Sequence, residues 1–134
     1  MKILLDTHIL LWYFDDDERL PLNARFLIEE KSNEVYYSIL SVLEVEIKHT
    51  AHPDRISMSG ERLLQHCQRL EFIQVSLDID HILAVKTLTR KPDTPPHRDP
   101  FDRLMICQAV VDNMLFITRD ERIAEYVSPM IFKI

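Results

Sequence analysis

Four short apolar or aromatic runs recur along this chain, each followed by a stretch with helical spacing. That alternation constrains the fold more than any other feature of the sequence. The runs are KILL at 2–5, EVYYS at 34–38, FIQVSL at 72–77 and LFIT at 115–118, and the terminal IFKI is a candidate fifth. They are too short for helices and read as buried strands. Between them, helices are expected over 7–14, in LNARFLIEEKS after Pro21, in the stretch ended by Pro53, and over 59–70. Another is expected in DIDHILAVKTLT, capped by Asp78 or Asp80. A further helix opens at Asp99-Pro100, a natural N-cap followed by the residue best tolerated at the first helical position, and runs to about Val111. Residues 89–99 hold three prolines and form a loop. Strands alternating with helices predict an α/β sandwich on a mostly parallel central sheet, folded as one domain over 1–134.

Composition removes several classes of function. There is a single glycine, Gly60, whereas loops that cradle phosphates need several. Nucleotide binding through such a loop is excluded, so any phosphate must be handled by side chains or metal ions. Apolar residues make up 46% and charged residues 28%, enough for a packed core and not the pattern of a disordered chain. Cys67 and Cys107 sit in apolar helical stretches without a CxxC pair, and read as buried thiols of a reducing compartment. The N-terminal run is interrupted by Asp6 and His8 and does not resemble a signal peptide. No apolar run reaches the length of a membrane span, so a cytoplasmic protein is expected. The net charge of −6 argues against a broad basic face for nucleic acid.

The carboxylates carry the functional signal. Asp6 directly follows the first strand, and Asp120 follows the fourth by two residues. In a parallel sheet both would lie at the carboxyl ends of strands, where open α/β folds place their sites. Each also reads as a helix N-cap. Asp102 falls at the third position of the Asp99-Pro100 helix, where it could reach back to the cap, yet it shares a face with Ile106 and Ala109. A carboxylate on an apolar face is costly unless paired or bound to metal. Glu44 lies on a polar stripe with Ser41 and Lys48, flanked by apolar residues on both sides, and is either half of a solvated Glu–Lys pair or the wall of a cleft. The run Asp15–Glu18 reads as a solvated turn, and His49 and His52 as an ordinary polar helix end.

Taken together, LLDTHILLW at 4–12, SVLEVEIK at 41–48, HRDPFDRLMICQA at 97–109 and FITRDERI at 116–123 resemble the PIN domains, most of all the VapC toxins of bacterial type II toxin–antitoxin systems. The resemblance covers nearly the whole chain. It implies a PIN-like α/β/α sandwich and a cytoplasmic, metal-dependent ribonuclease. In that family four acidic residues hold Mg²⁺ or Mn²⁺, and by motif they fall here on Asp6, Glu44, Asp102 and Asp120. Thr7 and Thr118 match polar supporting positions, and Lys48 and Arg103 match other recurrent residues. The resemblance further implies an RNA substrate, a VapB-type antitoxin and a homodimer. Metal-activated water needs no side-chain nucleophile, in keeping with the absence of a Ser/His/Asp or Cys/His signature. Arg90, Lys91, His97, Arg98 and Arg103, with Arg119 and Arg122, are candidate contacts for RNA phosphates. The apolar run Ile9–Phe14, with Phe26–Leu27 beside it, is expected to offer the antitoxin a groove that includes Trp12. A PIN-type processing nuclease without an antitoxin, and a catalytically silent binding module, are the competing readings.

Overall fold

In a computed structural model describing residues 1–134, β1 (Lys2–Leu5) forms the centre of the molecule. Of its four residues Ile3, Leu4 and Leu5 are fully buried, which explains why they form an unbroken apolar run and not an alternating one. Leu4 faces one layer of the core and Ile3 and Leu5 face the other. β2 (Glu34–Ser38) and then β3 (Ile73–Val75) pair on one side of β1. On the other side lie β4 (Leu115–Thr118) and then β5 (Ile131–Lys133). All the pairings are parallel and the order is β3-β2-β1-β4-β5. The chain winds outward from β1 in one direction and then in the other, so the topological switch lies between β1 and β4. Open α/β folds bind their ligands outside the carboxyl ends of the strands at such a point.

Helices cover both faces. α1 (Thr7–Phe14) and α2 (Leu22–Glu29) join the larger core with α3 (Ile39–Ala51) and α4 (Gly60–Arg69). α6 (Pro100–Val111) and α7 (Glu121–Ala124) build the smaller core, in which Met105, Ile106 and Ala109 pack with Phe116 and Tyr126. Asp99 caps α6 as the sequence predicts, its Oδ1 accepting from the backbone of Phe101 at 2.9 Å and of Asp102 at 3.2 Å. The expected helix over 78–89 is interrupted: α5 (Ile79–Leu83) gives way to a 3₁₀ turn at Ala84–Thr87. There the Thr87 hydroxyl donates back to the Ala84 carbonyl at 2.6 Å, a local bond that competes with helix continuation. The third strand is also shorter than the run at 72–77.

The lone glycine serves packing. A Cβ on Gly60 would lie 2.8 Å from the Glu46 Cβ and 2.9 Å from the Val42 carbonyl oxygen, so α4 starts against α3 at a distance only glycine allows. No helix is long and apolar enough to cross a membrane.

Candidate active site

Asp6 leaves the end of β1 as the N-cap of α1 and is only 4% exposed. Its Oδ1 accepts from the Thr7 backbone at 2.7 Å, and its Oδ2 from the Thr118 hydroxyl, also at 2.7 Å. Thr118, the last residue of β4, is itself the acceptor for the Asp120 backbone N–H at 3.0 Å. One hydroxyl therefore links the two acids that follow the adjacent strands β1 and β4. Burial nevertheless pushes the Asp6 carboxyl up to about 6, against the pull of those donors.

Asp120 caps α7 and is ion-paired with Arg122 at 3.2 Å. Partial burial acts to raise its carboxyl, but the contacts from Arg122 outweigh this and hold it below the usual carboxylate range. Glu44 is 8% exposed, with Lys48 Nζ 3.3 Å from its Oε2. Ser41, on the same stripe, is fully buried, and its hydroxyl lies 2.8 Å from that of Thr7. The outer residues Ile39, Leu43 and Ile47 are the exposed ones. Ser41 and Glu44 of the polar stripe are turned inward, while Lys48 at its end stays exposed. Thr7 and Ser41 also touch the Met105 sulfur, at 4.0 and 3.6 Å, which fastens α1, α3 and α6 together beneath the acids.

Asp102 does not reach back to its helix cap. It is 8% exposed, and its Oδ2 lies 3.1 Å from His97 Nε2. Burial, and then the charges of Asp6, Asp99, Glu44 and Asp120, push its carboxyl up to about 8. The four acids come from four different elements and act electrostatically on one another across the switch point.

The sequence matches the PIN domain family over residues 3–128. The chain belongs to that family. No curated protein matches it in sequence. Among solved structures it is similar to a chain in a VapBC2 complex from Rickettsia felis bound to a DNA fragment from their promoter. That match has a TM-score of 0.64 and 12% identity, covering 100% of this chain and 98% of that one. A toxin–antitoxin complex from Klebsiella pneumoniae contains another similar chain, with a TM-score of 0.65, 16% identity and coverage of 98% and 99%. A third is found in DNA-bound VapBC from Salmonella typhimurium, with a TM-score of 0.60, 17% identity and coverage of 100% and 97%. At these identities the likeness is one of fold.

In this PIN domain the four acids meet at one end of the sheet, but their side chains do not form a finished metal centre. No three His, Cys, Asp or Glu side chains are gathered closely enough to hold one ion. Each acid is instead turned to a partner of its own: Thr118, Lys48, His97 or Arg122. The donor set still fits a hard divalent cation, being all oxygen, largely buried and mutually repelling. Burial first, and the charges of the neighbouring acids second, hold the Asp102 carboxyl well above the usual carboxylate range.

Three of the basic residues expected to meet RNA have other attachments. His97 is buried between Asp102 and Tyr126. Arg122 is paired with Asp120, and Arg90 lies over the Tyr126 ring. Lys91, Arg98 and Arg119 are exposed. Arg103 is half-buried, its Nε without a hydrogen-bond partner. Ile9, Leu10 and Leu11 are consumed by the core, whereas Trp12 lines a groove of about 670 Å³ with Thr7, His8, Arg19 and Lys48. Phe26, 67% exposed, is not among the residues lining that groove. Sequence reasoning missed Tyr126 altogether, and no local signal could have paired it with a histidine 29 positions away.

Proposed function

We propose that this PIN domain is a metal-dependent endoribonuclease acting as a VapC-type toxin. The observation that carries the reading is the quartet Asp6, Glu44, Asp102 and Asp120, delivered by four elements to the switch between β1 and β4, with Asp102 pushed up to about 8. In this reading the four carboxylates hold Mg²⁺, or Mn²⁺ in its place. The bound cation supplies an activated water and stabilises charge on the phosphodiester oxygens. The chain's own residues do the positioning. Thr118 keeps Asp6 and Asp120 in register across the two strands. Lys48, half-exposed beside Glu44, is a cation available to a phosphate once Glu44 turns to the metal.

A VapB-type antitoxin is the proposed partner, supported by the fold shared with chains of toxin–antitoxin complexes. The groove at Trp12, lined by Thr7 beside Asp6 and by Lys48, the partner of Glu44, is the surface we assign to it. A homodimer is proposed as well, supported by the exposed apolar residues Ile39, Leu43 and Ile47, spaced four apart along one side of α3.

The test is cleavage of a defined RNA by the purified protein, with the ends mapped. Cleavage is expected with Mg²⁺ or Mn²⁺ and none in EDTA. Full activity in metal-free buffer would sink the reading. The toxin role is tested by inducing the protein alone, which is expected to arrest growth, and by co-expressing any small reading frame found next to its gene, which is expected to relieve the arrest. Hydrogen exchange of the resulting complex is expected to protect residues around Trp12.

A further inference from the structure

A buried chain of side chains runs behind Asp102. His97 Nε2 lies 3.1 Å from Asp102 Oδ2, and its Nδ1 lies 3.1 Å from the Tyr126 hydroxyl. The two rings meet edge-on with centroids 5.6 Å apart, and the Tyr126 hydroxyl is also 3.3 Å from the His97 carbonyl oxygen. Behind Tyr126 the Arg90 guanidinium sits 4.7 Å from the ring centroid and donates to the Arg122 carbonyl at 2.8 Å. Backbone bonds complete the attachment: Lys91 donates to Glu125 and Val127 donates to Thr89, both at 2.8 Å. The proline-rich 89–99 loop is thus stitched to the segment after β4 before it delivers His97 to Asp102.

That construction is costly for a loop and unnecessary for a surface cation. Both ring nitrogens of His97 are used, and its partners Asp102 and Tyr126 are buried as well. With Asp102 ionised, Nε2–H donates to Oδ2 while Nδ1 faces the Tyr126 hydroxyl, so the ring is held from both sides. We propose that His97 is a positioning residue: it clamps one oxygen of Asp102, leaves the other to the cation, and is itself held by Tyr126 and Arg90. A carboxylate oriented in this way enters coordination without first losing rotational freedom, which is how partners outside the coordination shell strengthen a metal site. The inference rests on the metal-site reading above.

The experiment is Mn²⁺ binding to the full chain by calorimetry, with circular dichroism to verify folding. It compares the wild type with Asp102→Asn, His97→Ala, His97→Gln and Tyr126→Phe. His97→Ala is expected to weaken Mn²⁺ binding by about 10–100-fold, the usual cost of losing such a partner. His97→Gln keeps an N–H donor near the same place and should recover most of the loss, and Tyr126→Phe should fall in between. Raising Mn²⁺ should restore RNA cleavage by His97→Ala, which a merely structural defect would not do. If Asp102→Asn abolishes binding while folded His97→Ala binds within twofold of wild type, the positioning role is wrong. Should His97→Ala fail to fold, Tyr126→Phe decides, and binding within twofold of wild type again overturns the role. If Asp102→Asn binds Mn²⁺ like the wild type, or the wild type binds none, the metal-site reading fails and this inference falls with it.

Discussion

Asp6 and Asp102 are both buried, at 4% and 8% exposure, and face the same acidic neighbourhood, yet the chain holds them by different means. Asp6 hangs from a central strand and receives a backbone N–H and a threonine hydroxyl, both at 2.7 Å. Asp102 receives one imidazole, carried by a loop that must first be tied down elsewhere. The carboxyls respond accordingly, Asp6 rising to about 6 and Asp102 to about 8. Two strong local donors offset part of the burial cost of the Asp6 charge, whereas Asp102 has a single ring nitrogen against several neighbouring carboxylates. One half of the site is therefore organised by the sheet itself, and the other half awaits a compensating charge.

The sharpest way to break this contrast is Asp102→Asn. RNA cleavage is expected to fall by at least about 10²-fold, since losing a partner outside the coordination shell already costs about 10–100-fold. The metal-free protein should become more stable at neutral pH, because a buried asparagine, unlike Asp102, need not take up a proton on folding. Normal cleavage by this variant would leave Asp102 with no role beyond its helix.

A second expectation concerns pH. Both carboxyls are pushed above the ordinary aspartate range, so the folded state holds more protons than the unfolded chain. Stability contributed by the protonated acids is fully present below about 4 and is lost as pH rises, through about 6 for Asp6 and about 8 for Asp102. Metal-free protein should thus lose several kcal/mol of stability, to order of magnitude, between pH 5 and pH 9. Saturating Mg²⁺ should flatten the curve, and Asp102→Asn should remove the part above pH 6. Denaturant melts across the pH range, with and without Mg²⁺, measure this. A flat profile in metal-free buffer would contradict the uncompensated charge.

What the sequence revealed follows the same division. Asp6 and Asp120 could be placed because a strand end is visible as the last residue of an apolar run, and the parallel alternation brings such ends together. The cleft reading of Glu44 followed from the apolar residues flanking its stripe, although Leu43 and Ile47 turned out to face outward. His97 was misread as a candidate phosphate contact. Its two partners lie 5 and 29 residues away, and neither spacing belongs to a regular element. The break in the helix at Ala84 was hidden for a related reason, since the Thr87 back-bond competes with a helical pattern that looks continuous.

Thr118→Val probes the sheet-organised half. It keeps shape and strand propensity but removes the hydroxyl that donates to Asp6 and accepts from Asp120. Leaving buried groups without partners should cost about 1–3 kcal/mol in a denaturant melt. The Asp6 carboxyl should move upward, towards the position of Asp102, and carbon-detected NMR titration would follow it. An unmoved Asp6 would mean that the hydroxyl contributes little to the difference between the two acids.

The smallest effect is expected from Asp99→Asn, which separates a cap from a site. Asp99 is three residues from Asp102 and adds to the negative charge there, so proximity alone would recruit it to the acidic group. Its Oδ1, however, is already committed to the backbone N–H groups of Phe101 and Asp102 at the start of α6. An asparagine Oδ1 accepts the same two bonds, and asparagine is as good an N-cap as aspartate. Loss of the charge slightly weakens the interaction with the helix N-terminus. It also relieves Asp102 of one repelling neighbour. The two effects oppose each other, and stability should stay within about 0.5 kcal/mol of wild type, the range of substitutions that break no specific feature. Cleavage should remain substantial, and the Asp102 proton should leave at a somewhat lower pH. A loss of cleavage beyond about tenfold, with the fold intact by circular dichroism, would move Asp99 from the helix cap into the metal-binding group, which would then number five acids.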